Sequence, residues 1–238
     1  MSANGAPRPL RVIYQDAHFL AIHKPPKLIV HLTRISEDTD SVVRRLREQL
    51  QEPVNLVHRL DRATSGVLLF SRTREAAQAI MGTFAGNRVQ KEYLAVVRGF
   101  IEAPGRIDHP VRRADGRRIQ AQTEYAPLAQ VEVPIAVRPY AQSRYSLVRI
   151  CPKTGKYRQI RQHFQHLRKP IIGDKKHGDI NHNRMFREQL GCDIMLFLAR
   201  ELRFVHPFTG TSLVIRTQPE PAMQAIIERF GWAHCLSE

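Results

Sequence analysis

Short apolar runs, each closed within a few residues by proline, glycine or charge, most limit what this chain can fold into. Val67-Leu68-Leu69-Phe70 is typical, and no run is long enough to span a bilayer. The segments 10–14, 19–22, 67–71, 93–97, 144–151, 195–202 and 213–217 read as strands, with 28–32 as a further extended piece and 55–57 as a short one. Helical spacing appears at Val42, Val43, Leu46 and Leu50, and again after Thr73 at Ala76, Ala77, Ile80, Met81 and Phe84. It recurs at Ile160, Phe164 and Leu167 and over 221–230. Strands and helices do not alternate steadily. The pattern therefore predicts an α+β fold, a mixed and largely antiparallel central sheet with flanking helices, rather than a doubly wound one.

At 238 residues and 42% hydrophobic, the chain has enough apolar side chain for a sizeable core. A single domain over 10–238 is expected behind a frayed tail at 1–9. The charged run 106–118 is expected to be a turn or exposed hairpin, and 173–179 is too charged and glycine-rich for an interior strand.

The formal charge is +15, and its positive side is mostly arginine, 29 Arg against 8 Lys. Guanidinium groups hold phosphate with paired donors and stack on bases, so a nucleic acid is the first partner class, and association with it is expected to weaken with salt. Self-repulsion favours a monomer. Cys151, Cys192 and Cys235 are too few and too scattered for a disulfide framework or a zinc knuckle. Free thiols and the lack of an apolar leader fit a cytoplasmic setting, with no membrane partner. There is no HExxH, Walker or dinucleotide fingerprint, and His163, His166 and His177 form no convincing ligand series, so neither metal nor cofactor is expected.

The most informative segment is 55–72, NLVHRLDRATSGVLLFSR. Strand-like pieces flank His58, Arg59, Asp61 and Arg62, an arrangement that projects charged groups from a rigid support. The residue types leave two roles open for Asp61: a pair with Arg59 or Arg62 that caps a turn, or a carboxylate kept ionised by its cations for chemistry. His58 is equally at home in packing.

Residues 58–66, HRLDRATSG, resemble the HRLDxxTSG signature of RNA pseudouridine synthases. Ile22-His23-Lys24-Pro25 resembles that family's lysine–proline segment, Lys91-Glu92-Tyr93 its lysine-x-tyrosine segment, and 155–161, GKYRQIR, its later basic motif. The likeness extends over roughly 10–232. It implies the pseudouridine synthase fold without a separate S4-like domain, and it implies Asp61 as the essential carboxylate. Arg59, Tyr93 and Arg161 are implied as supports: Tyr93 against the target uracil, Arg161 paired with the aspartate, Arg59 on the RNA backbone or opening the stack. Residues 170–179 with Asn183-Arg184 resemble the branch acting on tRNA at position 65; ribosomal RNA and non-catalytic RNA binding are the alternatives.

The later motif departs from the family's usual GRxHQLR. Lys156 replaces the arginine fork and Arg158 the histidine, so a histidine acid or base at that place is excluded. The target uridine must flip from its stack to be reached. Candidate contacts for the RNA are His58, Arg62, Arg112, Arg113, Arg117, Arg118, Arg158, Arg168, Lys175, Lys176 and His177.

Overall fold

Hydrogen bonding gathers most of the strands into one sheet whose two faces are covered by helices. The computed structural model describes residues 9–32, 39–86, 88–137 and 139–237, so that 1–8 of the expected tail lie outside the described residues. The strands in chain order are β1 (Arg11–Gln15), β2 (Phe19–Lys24), β3 (Asn55–Leu56), β4 (Ser65–Ser71), β5 (Gln90–Arg98) and β6 (Gly105–Asp108). They continue as β7 (Val111–Arg112), β8 (Arg118–Ile119), β9 (Gln122–Val133), β10 (Ser143–Pro152), β11 (Phe197–Val205) and β12 (Ser212–Arg216). The helices are α1 (Val42–Leu50), α2 (Arg74–Ala85), α3 (Gln159–His166), α4 (Ile180–Gln189) and α5 (Pro221–Arg229).

The sheet runs β1-β2-β4-β11-β5-β10-β9-β6, with β3 beside β4 and β12 beside β11. Its pairs are antiparallel except β4 with β11, where Ser65 and Gly66 face Leu198 and Ala199. The expected mixed, largely antiparallel α+β sheet is what forms. Alternation along each strand splits the core between two faces. On one face Leu68 and Phe70 of β4 pack with Val42 and Leu46 of α1, while Ala95 and Val97 of β5 pack with Ile160 and Phe164 of α3. On the other, Val67 and Leu69 meet Ala76 and Ile80 of α2, and Leu94 and Val96 join the cluster containing Phe186 of α4 and Ile226 of α5.

Local signals behave as their chemistry requires. Ser41 Oγ accepts from Arg44 N (3.3 Å) at the start of α1, and Thr73 Oγ1 accepts from Ala76 N (3.1 Å) at the start of α2. Three expectations are corrected. Segment 28–32 is no strand, because the carbonyls of Ile29 and Val30 accept the first-turn N–H groups of Val42 and Val43. The run 106–118 is only partly an exposed hairpin: β7 and β8 form one, but β6 joins the main sheet and both Ile107 and Val111 are buried. Finally, the helix expected from Ile160, Phe164 and Leu167 is shorter than that spacing: α3 stops at His166, with Leu167 as its C-cap, Arg158 as its N-cap and Arg168 beyond its end.

Candidate active site

The segment between β3 and β4 lies where the α1 and α3 cores meet. Leu60 is buried in the α1 cluster and Ala63 packs against the α3 cluster, so the turn between them is pinned from both sides. Asp61 stands in that turn, closed by Thr64 N donating to Asp61 O (3.1 Å). Tyr93 packs against both clusters, with its ring stacked on Phe197 at 5.1 Å and 17°.

Each remaining member of the segment has an architectural reason. His58 Nε2 accepts the N–H of Leu69 (3.1 Å), and the ring stacks on Phe84 at 5.2 Å. Burial first, and then the Lys91 charge, push the His58 pKa down to about 3, which keeps this ring a neutral acceptor. Thr64 and Ser65 are buried, and Ser65 Oγ reaches Phe197 O (3.5 Å). Gly66 has φ +115, and a Cβ there would lie 2.2 Å from the carbonyl oxygen of Ala199. Only glycine allows β4 to approach β11 so closely.

What the turn offers to chemistry is therefore Asp61, with Arg59 and Arg62 exposed on either side. Asp61 Oδ2 accepts from Arg161 Nη1 at 2.5 Å. The other carboxylate oxygen, Oδ1, receives no hydrogen bond among the described residues, and the side chain is 25% exposed. Arg161 is itself buried. Its Nε and Nη2 grip Asp174 at 2.6 and 2.7 Å, a bidentate contact that aims Nη1 at Asp61. Burial alone would raise the Asp174 carboxyl. Arg161 and the N–H groups of His177 and Lys176 outweigh burial and hold it below the usual range.

Under the turn, Lys24 is wholly buried and donates to Pro25 O (2.7 Å) and Arg62 O (3.1 Å). Burial drives its pKa down to about 7, against the opposing charges of Asp61 and Glu220. Burial, followed by the Asp61 charge, raises the Tyr93 phenol, so it remains protonated at neutral pH.

Of the sequence candidates, Asp61, Tyr93 and Arg161 are brought together here. Arg62 Nε donates to Lys27 O (3.0 Å), which ties it back to the β2 side of the site. Arg112 lies on the hairpin fastened to α3, its N–H and carbonyl bonded to the Gln162 amide (2.8 and 3.0 Å). Arg113 and Arg117 share Asp115, at 3.6 and 2.9 Å, while Arg118, Arg168, Lys175 and Lys176 are exposed. Arg158 is the N-cap of α3, one turn before Arg161, and the His177 N–H donates to the Asp174 carboxylate that grips Arg161. His163 is engaged at both ring nitrogens by Thr123 Oγ1 and His109 O (2.9 Å each), and His166 stacks on His109.

Asp174 was not among the sequence candidates. A turn acid looks solvated in sequence, and only the fold shows that it is 1% exposed beneath a buried arginine.

A cation-fixed carboxylate beside a tyrosine on a strongly basic chain suits attack on, or deprotonation of, a sugar in a polyanion. Residues 18–166 match the RNA pseudouridylate synthase family model. The chain is 41% identical over 239 residues to tRNA pseudouridine synthase C of Vibrio vulnificus, covering 95% of this chain and 98% of that one. It is 39% identical to tRNA pseudouridine synthase C of Haemophilus ducreyi, covering 94% and 96%. Human RNA pseudouridylate synthase domain containing 1 superposes with a TM-score of 0.70 at 25% identity, covering 90% of this chain and 86% of that one. By the extent of these matches the chain belongs to the RNA pseudouridylate synthase family.

Proposed function

We propose that this chain converts uridine to pseudouridine in tRNA, at position 65, with Asp61 as the reacting group. One observation carries the reading: Asp61 is anchored through Oδ2 to buried Arg161 while Oδ1 is left open. The names of the relatives support tRNA as the substrate. Position 65 is supported by the resemblance of 170–179 to the branch acting there.

The reaction breaks the N1–C1′ bond of uridine and joins C5 to C1′. Oδ1 either attacks C1′ as N1 departs or takes the 2′ proton to leave a glycal; both begin with an ionised carboxylate. The detached uracil is retained against the Tyr93 ring and turns until C5 faces C1′. As C5 joins C1′ the Oδ1–C1′ bond breaks or, on the glycal route, Asp61 returns the proton to C2′; the C5 proton then leaves and N1 gains one, so that product and substrate are isomers. Tyr93, held protonated, offers a hydroxyl that relays a proton without becoming a phenolate. Arg161 fixes the carboxylate and Arg59 meets the RNA from the exposed side of the turn. Arg112, Arg113, Arg117, Arg118, Arg168, Lys175 and Lys176 supply backbone contacts, whereas His58 belongs to the scaffold. The enzyme works as one domain and as a monomer in the cytoplasm. Its free cysteines and positive charge support that setting, and among the described residues no helix is long and apolar enough to cross a membrane.

The test is incubation of the purified chain with unmodified cellular tRNA and ribosomal RNA, followed by mapping of new pseudouridine. A single new site in tRNA at position 65 is expected. Product confined to ribosomal RNA overturns the substrate, and RNA binding without product overturns the activity.

A further inference from the structure

Buried polar atoms without partners are rare in folded proteins, and each asks what should meet it. Among the described residues, three such atoms lie in the side chains flanking Arg161: Nε and Nη1 of Arg158, and Nε2 of His177. Arg158 opens α3 from a left-handed backbone (φ 50), with its guanidinium over the Tyr157 ring at 4.7 Å. Seven residues further on, Gln165 returns to about the same side of the helix, since two turns take roughly seven residues. Its Oε1 lies 2.9 Å from Nδ1 of His177. The backbone N–H of His177 donates to Asp174 Oδ1 (3.0 Å), on the same carboxylate that grips Arg161. Arg158, Arg161 and Gln165 thus form one stripe of α3, and His177 is fastened along it.

The hydrogen-bond roles follow from chemistry. Gln165 Oε1 is an acceptor, so Nδ1 of His177 carries the proton and Nε2 of the neutral ring is a bare lone pair. Burial keeps the ring neutral; the charges of Arg161, Arg158 and Lys176 act in the same sense, against the pull of Asp174. Asp174 is consumed by Arg161, so it does not answer Arg158. The stripe therefore presents a guanidinium with two unmet donors beside an imidazole that gains a third donor when an anion favours its protonation. All three atoms are enclosed in the free chain, so a phosphodiester meets them as the Arg158 guanidinium turns off the Tyr157 ring to receive it, and one α-helical turn away Arg161 holds Asp61.

We propose that Arg158 and His177 form a seat for a single backbone phosphate of the RNA beside the target uridine, an inference that rests on the RNA-modifying reading above. The seat sets register: it fixes one point of the backbone within a turn of α3 from the reacting carboxylate, whereas the exposed arginines supply general attraction.

Phosphate ethylation interference on unmodified tRNA tests this with the full chain, because ethylation neutralises one phosphate per molecule and surveys every position. The intact protein is compared with Arg158→Met, Arg158→Lys and His177→Phe, each first shown by circular dichroism to fold. At one phosphate, ethylation is expected to weaken the intact chain about tenfold, the size of a charge-assisted contact, and the Arg158→Met chain less than about twofold. His177→Phe reduces interference at the same phosphate, and Arg158→Lys, which keeps charge but loses the guanidinium donors, restores part of it. Identical interference patterns in intact and variant chains overturn the seat. If coupling appears at one phosphate yet no pseudouridine forms, the isomerase reading falls and the seat stands. If pseudouridine forms without coupling, only the seat falls.

Discussion

Asp61 and Arg161, 100 residues apart in the chain, meet at 2.5 Å through one carboxylate oxygen. The contact occupies one oxygen of the carboxylate and leaves the other open. It also makes α3 part of the site, since the guanidinium that fixes Asp61 comes from that helix.

Asp61→Asn keeps an acceptor for Arg161 and the shape of the turn but removes the charge proposed to attack or deprotonate the ribose. Single-turnover pseudouridine formation is expected to fall about 10³-fold or more, with tRNA affinity changed less than about threefold. Undiminished turnover in this variant removes Asp61 from the chemistry.

Arg161→Met tests the other side of the contact. It strands the Asp174 carboxylate, 1% exposed, without its bidentate partner, and a cost of about 3–5 kcal/mol in unfolding free energy is expected near neutral pH. The pH dependence has a definite sign. A carboxyl held below its ordinary 3.8 in the folded chain contributes stability above that value and loses it as pH falls through the folded value. In the variant burial alone raises that carboxyl, so the gap between intact and variant chains in urea melts begins to narrow above pH 3.8 and goes on narrowing below it. A gap independent of pH contradicts the assignment of this stability to the Arg161–Asp174 pair.

Much of this arrangement could be read before the fold was known. Ser41 and Thr73 are short polar residues immediately before helical apolar spacing, and both cap as that position requires. Other elements carry weak signals. β9 was not anticipated: it contains Pro127 and alternates poorly, because the register against β10 steps from Ala129 to Pro127 and leaves Leu128 as a bulge. α4 was missed because only His182, Met185 and Phe186 of its ten residues are buried. At the site, Asp61 and Arg161 were legible as resemblance with a role attached, whereas Lys24 and Asp174 beneath them lie in segments that carry the likeness without one. Lys24 and Asp174 are charged side chains that become informative only when burial removes water from around them.

Gly66→Ala is expected to be the most damaging single methyl that can be added to the 58–66 segment. The new Cβ would meet backbone atoms of Ala199 at 2.2 to 2.8 Å, and φ +115 is strained for any L side chain. Neither obstacle is a flexible side chain, so β4 and β11 must separate. A loss of about 3 kcal/mol or more is expected by thermal or urea unfolding, accompanied by loss of activity as the turn carrying Asp61 shifts. A variant as stable as the intact chain refutes the close approach of β4 to β11.

Lys24 gives a prediction on the alkaline side. Its ammonium titrates at about 7 in the folded chain, chiefly because burial disfavours the charge, against an ordinary 10.5. Between these values the unfolded chain holds a proton that the folded chain has released, so this group makes stability rise with pH through that window, by up to about 1.4 kcal/mol per unit. Below 7 both states are protonated and the penalty is complete; above 10.5 both are neutral and it vanishes. Lys24→Met removes the titration together with the bonds to Pro25 O and Arg62 O. Lost bonds lower stability equally at every pH, whereas the lost titration changes the slope. Urea unfolding from pH 6 to 10 is therefore expected to show the intact chain gaining on the variant as pH rises, and parallel curves place the folded-state titration of Lys24 near its ordinary value.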